Sequence, residues 1–288
     1  MSGLLGAAWQ QVEFRLAWAA CSAIRALPRA RRIALAGRLG RMLIPNLPMT
    51  ARRISANLDR IWPGLERERR RAIARGVGDN FGRTIIEYFL MDDLARQPDL
   101  VSATGAGLAA IRQARDEGRG AVLVSAHFGN WEAIRLALQA DGIPCAMIYR
   151  AFNNRPFDAY VRAKMEHAGT PVLTKGRQGM RALVGHVAKG GVALILVDQK
   201  QTGAPALPFL GQPAETSLAA ASLASRLGVP LIPAFATRQN DGRRFAVEFE
   251  TPVSDGPPEA RMAQVNARIS ARIEARPEQW FWLHRRWR

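Results

Sequence analysis

His127 and Glu132 stand four residues apart, in Ala-His-Phe-Gly-Asn-Trp-Glu, where a short apolar run gives way to a helical pattern. An imidazole oriented by a carboxylate is a general base, able to take a hydroxyl proton as the oxygen attacks a carbonyl. Residues 121–126 read as a strand, Gly129 and Asn130 as a tight turn, and the residues after them as a helix for which Asn130 is the expected N-cap. This spacing lets Glu132 accept a bond from the ring of His127. The competing reading is a packing histidine, with Glu132 merely favouring the positive end of the helix. Two further apolar runs end in polar residues: Arg150 follows 144–149, and Asp198 with Gln199 follows 192–197. In an open parallel sheet, ligands bind beyond the carboxyl ends of the strands, so these residues are expected to converge with His127 on one cleft.

The elements that must position them divide the chain in three. Residues 1–27 read as one amphipathic helix that associates with a membrane, and residues 28–100 as a basic helical region with helices expected near 28–43, 52–62 and 66–90. Residues 101–288 read as an α/β domain, a mixed, mostly parallel sheet flanked by helices, because strand-like and helix-like runs alternate. Strands are expected at 121–126, 144–149, 171–174, 192–197, 230–237 and 244–250. Helices are expected at 131–140, 155–167, 178–189, 216–227 and 259–275.

Charge narrows the partners. The net charge is +17, and only Lys164, Lys175, Lys189 and Lys200 among the 41 basic residues are lysines. Arginine's planar fork suits phosphate and carboxylate. Residues 1–90 hold 16 Arg against 6 Asp plus Glu, interleaved with Leu, Ile, Ala and Trp. That mixture points to amphipathic helices on a membrane surface, and no zinc-finger or RNA-binding signature indicates nucleic acid. Residues 4–27 carry Glu13, Arg15 and Arg25, so a helix lying among headgroups with Trp9, Phe14 and Trp18 inserted is expected over one that spans. The segment lacks the pattern of a cleaved secretory signal. Cys21 and Cys145 are the only cysteines, which leaves no disulfide framework. The C-terminal tail, with Trp280, Trp282 and Trp287 among arginines, is expected at the headgroup region, the competing reading being a segment docked on the core. His167, His186 and His284 read as surface or packing residues.

Taken together, these residues resemble the late acyltransferases of lipid A biosynthesis, the lauroyl and myristoyl transferases of the wider His-x4-Glu/Asp acyltransferase superfamily. The resemblance rests on His127 and Glu132, on Tyr149-Arg150 followed by Asn153, Asn154, Arg155 and Pro156, and on Leu-Val-Asp-Gln at 196–199. It extends through Leu-Pro-Phe-Leu-Gly at 207–211 with Thr216, and through the tail at 277–287. The helical region contributes Asn57, Trp62-Pro63 and the run from Phe81 to Glu87. Leu210 departs from the family pattern, which often has a second Phe there.

The resemblance implies an enzyme on the cytoplasmic face of the inner membrane that moves an acyl chain from acyl carrier protein to a hydroxyl of a lipid A precursor. In that scheme His127 is the base and Glu132 fixes its tautomer. Arg150 meets the oxyanion or an acceptor phosphate, helped by Asn130, while Asp198 with Gln199 positions Arg150 or the acceptor sugar. No serine elbow, metal-ligand spacing or phosphate loop is present in the sequence, so direct transfer without metal or cofactor is expected. Two alternatives stay open: another glycolipid or glycerophospholipid acceptor, and a non-catalytic, basic lipid-binding protein.

Overall fold

The computed structural model describes residues 9–12, 15, 18–19 and 22–287. The helix expected over residues 4–27 lies partly outside the described residues. Its described positions are helical at 9–12 and 22–25, with Trp9 and Trp18 exposed. No helix among the described residues is long and apolar enough to cross a membrane.

From residue 29 onward, helices α1 (Arg29–Leu43), α2 (Pro48–Ile61), α3 (Arg67–Phe89) and α4 (Met91–Ala95) lead into the sheet. Pro48 opens α2, where its missing N–H goes unneeded and its fixed φ suits the first turn. After them come β1 (Val101–Thr104), α5 (Ala106–Asp116), β2 (Ala121–Ser125), α6 (Glu132–Ala140), β3 (Cys145–Tyr149), α7 (Arg155–Glu166) and β4 (Val172–Thr174). The chain continues through α8 (Arg177–Ala188), β5 (Val192–Leu196), the hairpin β6 (Ala206–Phe209) and β7 (Gln212–Glu215), α9 (Ala219–Leu227), β8 (Leu231–Arg238), β9 (Phe245–Phe249) and α10 (Pro258–Ala275). Leu210, at φ +49, and Gly211, at φ +72, make the two-residue turn of the hairpin, the geometry of a type I′ connection.

Seven strands form one sheet in the order β1-β9-β8-β2-β5-β3-β4. Within this sheet, among the described residues, only the β8–β9 pair is antiparallel, so β1 and β9 run against the other five. The sheet is thus mixed and mostly parallel, as expected. β1, α4, α5 and the hairpin are additions that the sequence pattern did not announce. β2 is buried along its whole length, and its alternate residues serve opposite layers. Val122 and Val124 pack with α2, α3, α9 and α10, whereas Ala121 and Leu123 pack with α4, α5 and α6. Ile54, Leu58, Ile73 and Val77 of the basic helices belong to the first of these clusters, so that region shares a core with the sheet.

Register does the work that matters for chemistry. β2 and β5 are neighbours with Ser125 opposite Leu196, so two residues past the end of each strand His127 stands opposite Asp198. Gly129 then turns the chain at φ +57, and a Cβ there would come within 1.9 Å of the Ala236 carbonyl oxygen. Gly129→Ala is therefore expected to lower stability by more than about 1 kcal/mol, read as a fall in Tm.

Candidate active site

His127 lies at the end of the central strand, 18 % exposed at its side chain, facing a cleft shared with Phe81, Trp131 and Phe281. Its Nδ1 is 2.8 Å from Oδ1 of Asp198, and its backbone N–H donates to Oδ2 of the same carboxylate at 2.9 Å. A third donor, Nε1 of Trp280, reaches Oδ2 at 2.8 Å. Asp198 is fully buried. Burial alone would raise its pKa, but the His127 ring and backbone, with His284 nearby, hold it below the usual carboxylate range. An ionised carboxylate only accepts, so the proton of neutral His127 sits on Nδ1 and the lone pair on Nε2.

Glu132 stands elsewhere. Its carboxylate takes Tyr88 Oη at 2.9 Å and Arg135 Nη1 at 2.6 Å, with Glu132 and Arg135 both wholly buried. Arg135 spends its other hydrogens on the carbonyls of Cys145, Met165 and Gly169. Burial and then Glu132 raise the Tyr88 hydroxyl well above its ordinary pKa, so it stays a donor. The bond that sequence spacing suggested for Glu132 is made by Asp198 instead. The physical reason is direction: the first turn of α6 aims Glu132 toward Arg135 and away from the cleft. Glu132 reaches His127 only indirectly, through Tyr88, whose ring centroid is 6.0 Å from that of Trp131, and then Trp131, 4.9 Å from the His127 ring.

Asn130 is also spoken for. Its Nδ2 donates to Glu87 Oε2 at 2.9 Å, and its Oδ1 accepts the backbone N–H of Glu132 at 3.2 Å, a capping bond at the start of α6. Arg238 grips Glu87 through both Nη atoms at 2.7 Å and also donates to Thr84 and Asn80. Thr84 and Asn80 in turn donate to the Gly129 carbonyl, so this buried network fixes the turn behind His127. Arg150 is exposed at the end of β3. The expected pairing of Asp198 with Arg150 gives way to the three donors just described.

Gln199 does converge on the cleft. Its Nε2 lies 3.4 Å from Nε2 of His127 and 3.1 Å from Nε2 of His284. His284, read as a packing residue from sequence, is thus a neighbour of the site, its ring 4.8 Å from that of His127. The tail is docked on the core rather than placed at a headgroup surface, for Trp280 is 1 % and Trp282 0 % exposed. It pairs with the turn that carries His127: Phe281 N–H donates to His127 O at 3.0 Å, and Gly129 N–H to Gln279 O at 2.9 Å. Arg286 fastens the far side, donating to the carbonyls of Gln199 and Glu215 and to Thr216. Trp280 and His284 both lie in the tail that carries the family resemblance, but no local spacing ties either to His127; only pairing of residues far apart in the chain reveals that.

His127, Asp198 and His284 bring ligand-type atoms within 4.8 Å of one another. The Asp198 oxygens are already taken by three donors, and Arg53 and Arg286 add positive charge beside His284, so the set is poorly suited to a cation. Cys145 is buried, with its thiol pushed up to about 12 by burial, which makes it a poor nucleophile. Cys21 lies outside the described residues.

Residues 10–288 match the model of the bacterial lipid A biosynthesis acyltransferase family. The chain is 26 % identical over 265 residues to a lipid A biosynthesis lauroyltransferase of Escherichia coli, covering 87 % of this chain and 83 % of that protein. It is also 26 % identical over 270 residues to the palmitoleoyltransferase of the same organism, covering 88 % and 84 %. A lipid A biosynthesis acyltransferase of Shigella flexneri matches at the same identity and coverage.

Two outcomes follow for stability. Glu132→Gln leaves Arg135 without its buried counter-charge and is expected to cost on the order of 3–5 kcal/mol in urea unfolding. Burial first, then His127, with Arg53 and Arg286 adding to it, pulls the His284 imidazole to about 4, Asp198 opposing. The unfolded chain therefore binds a proton near pH 6.5 that the folded one refuses until near 4, so stability falls as pH drops through that window. His284→Gln should flatten that fall in unfolding free energies measured from pH 7 to 4; Asp198 contributes only below about 3.8.

Proposed function

Because this chain belongs to the bacterial lipid A biosynthesis acyltransferase family and is an acyltransferase, we propose that His127 and Asp198 together run its chemistry. The reaction is transfer of a fatty acyl chain from an acyl carrier protein thioester to a hydroxyl of a lipid A precursor, at the cytoplasmic face of the inner membrane. The observation that carries the assignment is the buried Asp198 carboxylate on Nδ1 of His127, which leaves Nε2 free to accept.

In this scheme the acceptor hydroxyl gives its proton to Nε2 as its oxygen attacks the thioester carbonyl. A tetrahedral intermediate forms, with the negative charge on the former carbonyl oxygen. The C–S bond then breaks, the imidazolium returns the proton to the leaving sulfur, and an ester and a free carrier thiol remain. Asp198 stays ionised throughout, holds the ring in one tautomer and offsets the imidazolium charge, the role of the buried carboxylate in serine-hydrolase triads. Gln199 spans His127 and His284 in the resting site and must yield its place to the hydroxyl. Arg150, exposed at the neighbouring strand end, is available to an acidic group of the acceptor. Glu132 is assigned a supporting part, holding Tyr88 and Arg135 beneath Trp131. A positioned base contributes typically ~10²–10⁴ in rate and oriented donors at the oxyanion a comparable share.

The test is transfer from an acyl-carrier thioester to a purified lipid A precursor, followed by mass spectrometry. His127→Ala and Asp198→Asn are each expected to lower kcat by ~10²–10⁴ with a folded protein. Near-normal turnover in Asp198→Asn would remove the assignment.

A further inference from the structure

The face that α1 and α2 turn outward is built unlike an ordinary protein surface. α1 packs on α3 through small residues: a Cβ on Gly40 would lie 2.1 Å from the Gly78 carbonyl, and one on Gly82 2.2 Å from that of Ala36. The buried residues of α1 are Arg32, Ile33, Gly37 and Gly40, which leaves its other large apolar residues on the outer side. Leu35, Leu39, Met42 and Leu43 follow one another at helical spacing on the solvent side, and Leu47 and Met49 continue the ridge across the connection into α2. These six residues are 39 to 64 % exposed. A contiguous apolar ridge of this kind marks an interaction surface.

Its charge identifies the occupant. Residues 14–58 contain nine arginines and no Asp or Glu. Arg31, Arg38, Arg41 and Arg52 are exposed on the same two helices, flanking the ridge. Apolar side chains that enter an acyl layer, bordered by guanidinium groups that meet phosphate, are the chemistry of an anionic bilayer surface.

The ridge also connects to the site. Asn57 Nδ2 on α2 donates to the carbonyls of Trp282 and His284 at 2.7 and 2.8 Å. Met49, Arg53 and Asn57 succeed one another at intervals of four residues, so the ridge lies only about 12 Å along α2 from the tail that carries His284.

We propose that the outer face of α1 and α2, with Leu35, Leu39, Met42, Leu43, Leu47 and Met49 inserted and Arg31, Arg38, Arg41 and Arg52 at the headgroups, is the surface by which this enzyme seats its cleft on an anionic bilayer. The inference rests on the proposed membrane reaction for its purpose, but binding can be measured apart from it.

The full chain is sedimented with vesicles of phosphatidylglycerol and phosphatidylethanolamine, and with phosphatidylcholine vesicles alone. Binding is expected to favour the anionic vesicles and to weaken with salt. Replacing Leu39, Met42 and Leu43 together by Ser should weaken it at least tenfold, and each Arg→Gln at Arg31, Arg38, Arg41 or Arg52 about fivefold. Transfer is then measured with the acceptor in detergent and in vesicles. The variants should keep wild-type kcat and KM in detergent while KM for the vesicle-borne acceptor rises about tenfold. Unchanged vesicle binding in the triple variant would overturn the proposal. So would a raised KM for the acyl-carrier thioester in detergent, which would assign the face to the donor protein. Failure of the wild type to transfer in detergent would instead count against the proposed reaction, leaving the vesicle result to stand by itself.

Discussion

A single buried carboxylate, Asp198, gathers three hydrogen bonds from two distant parts of the chain: the backbone and ring of His127, and the indole of Trp280. A charge taken out of water is costly unless its lone pairs are met, and here the donors that meet them are the His127 ring and backbone and the segment that walls the cleft. Satisfying Asp198 is therefore the same act as orienting His127. Loss of any one donor would leave the buried charge under-coordinated.

Beneath this contact lies a second tier of buried ion pairs. Glu87 with Arg238 and Glu132 with Arg135 occupy positions that hydrophobic residues of equal volume would fill at lower electrostatic cost. What they add is direction. The Glu87 tier holds Asn130, Thr84 and, through them, the Gly129 turn; the Glu132 tier holds Tyr88 against Trp131. Both tiers draw on α3, which explains how a basic helical region and an α/β sheet come to share one core.

Much of this is legible in the sequence. Every strand anticipated from its apolar run is present, and the polar residues at the ends of β2 and β5 do meet, because a parallel sheet aligns its carboxyl edges. Spacing alone points His127 to the wrong partner: Glu132 is near in sequence, whereas Asp198 is near because β5 lies beside β2, and strand order leaves no local trace. β1 is short and mostly exposed, so it lacks the hydrophobic run that betrays a strand. The tail leaves two placements open in the sequence for a related reason. Tryptophan beside arginine is equally the composition of a membrane belt and of a docked segment, and only the hydrogen bonds of Trp280 and Phe281 separate the two.

The central claim concerns one proton on one ring, and nitrogen-15 NMR of the histidine-labelled protein observes it directly, with the His127 signal assigned by its loss in His127→Gln. In the neutral ring the proton is expected on Nδ1, in a strong hydrogen bond to Asp198, with Nε2 unprotonated, an arrangement disturbed in Asp198→Asn. A proton found on Nε2, or a spectrum unchanged when Asp198 is replaced, would contradict it.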